Sequence, residues 1–149
     1  MSDSFTIRAA QERDLPYLNT IFAHENMVLP SRDMLLGGTV AVNANDEPVG
    51  FIYIYEINDV EDTEGNGAYV YPVIVYKDWQ HHGVARALID DAVKRYGAIK
   101  LVACAESQGF YPKAGFKPMD WSGVAGIIAK DCETCADLKT CHPQPFIRR

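Results

Sequence analysis

Apolar positions change period along the chain, and each change predicts an element. Phe5 to Ala9 alternates apolar and polar residues, as a strand does. Leu15, Leu18, Ile21 and Phe22 then fall at helical spacing, with Asp14 as N-cap and Pro16 in the first turn. Arg32 to Leu36 predicts a short second helix stopped by Gly37-Gly38. Thr39 to Asn43 and Val49 to Ile57 predict two strands joined by a turn at "ANDEP". Residues 58–67, "NDVEDTEGNG", read as an acidic, glycine-bearing loop. Ala68 to Tyr76 predicts a further strand, in which Pro72 marks an irregularity or an unpaired edge.

The strongest helical pattern follows. Ala85, Leu88, Ile89, Ala92, Val93 and Tyr96 share one face, and Arg86, Asp90, Asp91, Lys94 and Arg95 the other. Asp90 with Lys94, and Asp91 with Arg95, are pairs four apart in the favourable order, and Gly97 is a natural stop. Ile99 to Ala105 reads as a buried strand and Gln108 to Ala114 as a short helix closed by Gly115. Phe116 to Met119 and Val124 to Ala129 predict a final strand pair. The order β-α-α-β-β-β-α-β-α-β-β describes a mixed α/β domain, an α+β mixed sheet, over residues 1–130. Residues 131–149 are left as a cysteine-containing tail that could pack on it.

Composition narrows the partners. A chain of 149 residues suits one core, and 48% hydrophobic with 23% charged residues is an ordinary globular mix. A net charge of −6 argues against a nucleic-acid backbone as main partner and favours a cationic or amine-bearing one. No apolar run approaches the ~20 residues of a membrane span. The first ten residues, "MSDSFTIRAA", lack a basic region followed by an apolar stretch, so the expected location is cytoplasmic, with reduced thiols. A homodimer is compatible with everything read so far.

Chemistry concentrates in "WQHHGVARAL", Trp79 to Leu88. An apolar strand runs into a glycine and then into a helix. N–H groups at a helix start are unpaired and carry partial positive charge, and a glycine lets an anion come close. Gly83, Ala85 and the amides of His81 to Ala85 could therefore cradle a pyrophosphate. The rings of His81 and His82 read as solvated, because two neighbours cannot easily face one metal from a helix start. Neither the Walker pattern nor Gly-x-Gly-x-x-Gly is present.

A second motif lies downstream, "FYPKAGF" at Phe110 to Phe116. Gln-x-x-Gly-x-Ala (Gln80, Gly83, Ala85) and Phe-Tyr-x-Lys-x-Gly-Phe (Phe110, Tyr111, Lys113, Gly115, Phe116) together resemble the GNAT superfamily of N-acetyltransferases. The element order is similar to that fold from Phe5 to about Lys130. The resemblance implies acetyl-CoA as co-substrate and a primary amine as acceptor, acetylated by direct attack. It also implies cofactor-binding roles: Val73, Ile74 and Val75 would offer backbone to the pantetheine arm, and Gln80, His81, His82, Gly83, Val84 and Ala85 would form the pyrophosphate loop. Tyr111 matches the family's tyrosine near the thioester sulfur. Arginine is frequent in the family where Gln80 stands and glycine where Ala85 stands. Many members carry asparagine seven residues before the tyrosine, where this chain has Cys104.

Such a transfer needs a neutral amine, a donor for the oxyanion and a proton for the departing thiolate. An N–H on the Val73 to Val75 strand could serve the oxyanion, whereas Pro72 has none. Tyr111 is the expected proton donor; its bland alternative is a core aromatic beside Phe110 and Phe116. Glu106 is put forward as the base on position alone, with Glu56, Tyr53 or a water relay as alternatives. His24 to Pro30 and the acidic loop would shape the acceptor site, and Asp59, Glu61, Asp62 and Glu64 could draw in a cation.

The tail adds a third pattern. Cys132, Cys135 and Cys141, with His142, spell C-x-x-C, five residues, then C-H. Thiolates and imidazole suit tetrahedral zinc, with His24 or a partner chain as a further ligand. A redox dithiol at Cys132 and Cys135, or a reduced tail without ligand, are the other readings. A non-catalytic binding module with this fold, using the tail for metal or protein contact, is the alternative to the enzyme. The acceptor (small amine, amino acid, antibiotic, peptide N-terminus, lysine or charged tRNA) and the acyl length stay open.

Overall fold

The computed structural model of the chain describes residues 4–25, 27–57, 67–104, 108–124 and 142–149. Its elements are β1 (Thr6–Ala9), α1 (Leu15–His24), α2 (Arg32–Leu36), β2 (Thr39–Val42), β3 (Pro48–Glu56), β4 (Ala68–Val75), α3 (Val84–Tyr96), β5 (Ile99–Ala103), α4 (Phe110–Lys113), β6 (Lys117–Pro118) and β7 (Gln144–Arg148). Through β6 this is the order the sequence predicts; the last strand, β7, comes instead from the segment read as tail. The strands form one seven-stranded sheet in the order β1-β2-β3-β4-β5-β7-β6. Two compact units are distinguished, Met1–Ile54 with Tyr71–Asp91, and Tyr55–Val70 with Ala92–Arg149.

In the first unit, the pairing of β2 with β3 decides what each face carries. The strands are antiparallel, with Val40 opposite Phe51 and Ala41 opposite Gly50. Side chains alternate between faces, so neighbouring pairs point opposite ways. Val40, Val42, Phe51 and Ile74 pack with Leu18, Ile21 and Phe22 of α1 and Leu35 of α2. The Phe22 and Phe51 rings meet edge-on at 5.8 Å. Fully burying each such side chain contributes about 1.5–3 kcal/mol. On the opposite face stands Gly50, against which Val84 and Leu88 of α3 are packed.

Asp14 precedes α1 but its side chain makes no capping bond to that helix. Its oxygens accept from Arg8 Nη1 and Nη2, each at 2.8 Å, and from the Gln11 amide at 2.7 Å. Burial alone would raise this carboxyl, but the Arg8 hydrogen bonds, the Gln11 amide and the charges of Arg8 and Arg13 outweigh it and hold it below its ordinary range. The expected cap is thus a buried ion pair tying β1 to the start of α1. The irregularity expected at Pro72 is a cis Tyr71–Pro72 peptide inside β4.

In the second unit, β4 pairs with β5 in parallel, in register at Tyr69↔Lys100. β7 lies antiparallel to β5 from Ile99↔Arg148 to Ala103↔Gln144, and to β6 at Lys117↔Ile147. The strand expected at Phe116 to Met119 shortens to Lys117–Pro118, and its partner is β7, from the segment read as tail. Of the other expected strand, residues 125–129 lie outside those described, and Val124 is a buried residue beside Tyr69. Helix α3 stops at Gly97, whose φ is +83°, as expected of a left-handed stop.

Candidate active site

Strand β4 delivers the loop. Ile74 is 5% exposed and locked into the α1 core, while Val73 is half-buried. Pairing with β3 continues past the strand, since the Tyr76 amide donates to the Val49 carbonyl at 2.7 Å. One 3-10 turn, Lys77–Trp79, then leads into Gln80. The Gln80 side-chain amide donates to the Val75 carbonyl and to Glu25 Oε1, both at 3.1 Å. Gln80 therefore fastens the loop to the end of β4 and to the residue after α1.

Beyond Gln80 the backbone turns back on itself. His81 and Gly83 have φ of +67° and +81°. A Cβ at Gly83 would meet nothing within 4 Å, so the space over this peptide is open. The His81 ring is exposed, and the His82 ring rests 5.7 Å from Trp79. The first bond of α3 runs from the Ala87 amide to the Gly83 carbonyl at 3.0 Å. The amides of Val84 and Ala85 precede it and have no carbonyl within the helix to bind. They open a helix of thirteen residues, whose aligned dipoles favour an anion at this end. Val84 is 1% exposed and fixes the helix start against Gly50.

Tyr111 belongs to the second unit, on α4. Its ring meets Phe110 at 5.2 Å and Phe116 at 5.5 Å edge-on, and tilts against Phe146 at 6.1 Å. The aromatic packing foreseen for it is real. Its hydroxyl has no hydrogen-bond partner among the described residues, and burial raises its pKa above the ordinary phenol value, so it carries its proton at neutral pH.

The remaining candidates divide. Glu106, the acidic residues Asp59 to Glu64, and Cys132, Cys135 and Cys141 lie outside the described residues. Glu56 is exposed at the end of β3, and Tyr53 is half-buried against the α1 core. His24 packs its ring 5.7 Å from Tyr76 and meets Glu25 Oε2 at 3.4 Å. After it, Val28 is 91% exposed. His142 is exposed, and its carbonyl accepts from Gln108 Nε2 at 2.7 Å. Among the described residues no cluster of three histidine, cysteine or acidic side chains could hold a metal. Cys104 is disulfide-bonded, where the sequence leads one to expect reduced thiols. Nor is any helix among them long and apolar enough to cross a membrane.

Two positioning features go beyond what the sequence predicts. Gly50 has a signal, because a glycine inside a strand marks close approach by another element. The hold of Glu25 on Gln80, 55 residues apart, has none.

Residues 37–118 match the family model described as the GNAT acetyltransferase domain. The chain belongs to the GNAT family. No curated protein sequence matches it. Solved structures show the same fold. The chain is similar to N-acetylglutamate synthase from Neisseria gonorrhoeae, solved with coenzyme A and N-acetyl-glutamate, at a TM-score of 0.75 and 11% identity, covering 98% of this chain and 35% of that one. It thus spans about a third of that synthase. A GNAT-family acetyltransferase from Staphylococcus aureus Mu50 aligns at a TM-score of 0.63 and 15% identity, over 97% of this chain and 98% of the other. A SpeG spermidine N-acetyltransferase from Vibrio cholerae aligns at 0.66 and 18%, over 96% and 92%. Identities this low make the likeness one of fold.

Proposed function

We propose that this GNAT protein moves an acetyl group from acetyl-CoA to a primary amine by direct attack. The observation that carries the reading is the loop from Gln80 to Ala85: an open peptide at Gly83 in front of the Val84 and Ala85 amides, at the start of a 13-residue helix. That donor set fits a diphosphate, which is anionic and accepts several N–H bonds at once. The coenzyme A in the gonococcal synthase structure supports the same class of donor.

Acetyl-CoA supplies an activated acyl carbon and a thiolate leaving group. The Gly83, Val84 and Ala85 amides hold its diphosphate. Backbone of Val73 to Val75 aligns the arm and donates to the oxygen that gains charge. The β4–β5 pair Tyr69↔Lys100 comes four residues before Val73. Tyr111 gives its proton to the leaving sulfur, and burial keeps that proton in place until it is needed. Glu106, or a water, takes the proton of the attacking amine. Free-thiol release measured over a panel of amines tests the reading. Acceptor-dependent release is expected, and release that no amine stimulates contradicts it.

A further inference from the structure

The first unit contains a concavity of about 350 Å³. Tyr17, Tyr76 and Trp79 line it, together with Asn43, Glu47 and Val49. None of these six has a part in the transfer described above.

Glu47 sets the chemistry of this cavity. Its Oε1 accepts from Asn43 Nδ2 at 3.1 Å and its Oε2 from the Tyr17 hydroxyl at 3.3 Å. Both donors are neutral, and among the described residues Glu47 has no ion-pair partner. Arg8 and Arg13 both pair with the adjacent Asp46, at 3.0 and 2.5 Å. The charge of Glu47, and then its hydrogen bond, raise the Tyr17 phenol pKa, as expected beside an uncompensated anion.

An anionic guest would be repelled here, and a neutral apolar one would strip water from the carboxylate without replacing it. A cation satisfies Glu47, and a cation with an organic shell also uses the electron-rich ring faces. The volume falls within the range of small-ligand pockets. We propose that this cavity binds a small organic ammonium ion, with Glu47 supplying the charge and Tyr17, Tyr76 and Trp79 the walls. The Trp79 ring also meets the His82 ring at 5.7 Å, so an occupant touches a residue in contact with the Gln80–Ala85 loop.

Choline is a suitable probe, since its nitrogen has no N–H to acetylate and binding is read without any coenzyme. The chain has two tryptophans, so Trp121→Phe leaves Trp79 as the sole indole reporter. Choline titrated at constant ionic strength should give a saturable change in Trp79 emission. The uncharged isostere, with carbon in place of the ammonium nitrogen, should bind at least about tenfold more weakly, and Glu47→Gln should weaken choline by a similar factor. The isostere comparison needs no change at Glu47, so it holds even if that variant misfolds. No saturable response to choline, equal binding of the isostere, or undiminished binding in a folded Glu47→Gln protein overturns the proposal.

Discussion

The Cγ1 atom of Val84 lies 2.8 Å from where a Cβ on Gly50 would stand. A strand glycine is therefore the seat on which the first residue of α3 rests, and the height of that seat sets where the Val84 and Ala85 amides stand. Gly50→Ala forces the stiff valine side chain, or the helix behind it, to move. The expected cost is about 1–3 kcal/mol in denaturant unfolding, with a weaker affinity for coenzyme A than the stability loss alone explains. Unchanged affinity in a destabilised protein would separate the helix start from coenzyme binding.

Gln80→Ala removes both bonds of the side-chain amide. Each is worth about 0.5–1.5 kcal/mol at most, and the exposed Glu25 bond belongs at the lower end. Coenzyme affinity should fall several-fold while turnover at saturating donor changes little. Equal losses in both would mean that Gln80 takes part in the chemistry rather than holding the loop.

Tyr111→Phe keeps the ring that packs against Phe110, Phe116 and Phe146, so the protein should fold with nearly native stability. It removes the proton. Turnover at saturating acetyl donor should fall by about 10²–10⁴. The raised phenol pKa also means that loss of this proton cannot shape the pH–rate profile until above pH 10, its ordinary value. A variant with full turnover would leave Tyr111 a packing residue.

Asp14 carries a pH signature of its own. Its folded pKa lies below the ordinary 3.8, so the unfolded chain binds the proton more readily. The stabilisation from its pair with Arg8 is fully present above about pH 5 and is lost as pH falls through the folded value. Asp14→Asn should cost about 1.5–3 kcal/mol at neutral pH, since Arg8 loses one of its two carboxylate partners and keeps only Asp46. Acid titration of unfolding free energy, wild type against Asp14→Asn, should show the two curves converging at low pH.

Much of the fold is legible in the amino-acid pattern alone. The element order and the glycine stops at Gly97 and Gly115 follow from period and turn chemistry, which are local. So does the loop before α3, where apolar strand, glycine and amphipathic helix follow one another directly. Strand β7 is hidden because its neighbourhood argues against a strand: Pro143 and Pro145 remove donors, and Arg148 and Arg149 close the chain with charge. Only the tertiary partners, β5 and β6, make it one. Asp14 reads as a cap because spacing cannot show that Arg8 reaches back to it. The disulfide at Cys104 is likewise invisible to spacing, since it needs two cysteines brought together by the fold.

Everything assigned to the loop rests on its holding a diphosphate, and calorimetry of the intact chain reads this directly. Coenzyme A and pantetheine share the thiol-bearing arm, and only the former has the diphosphate, with a 3′-phosphorylated adenosine beyond it. Coenzyme A should bind with measurable heat, and pantetheine at least about tenfold more weakly, a difference of about 1.4 kcal/mol or more. Equal affinities for the two, or no heat with coenzyme A, would contradict the account.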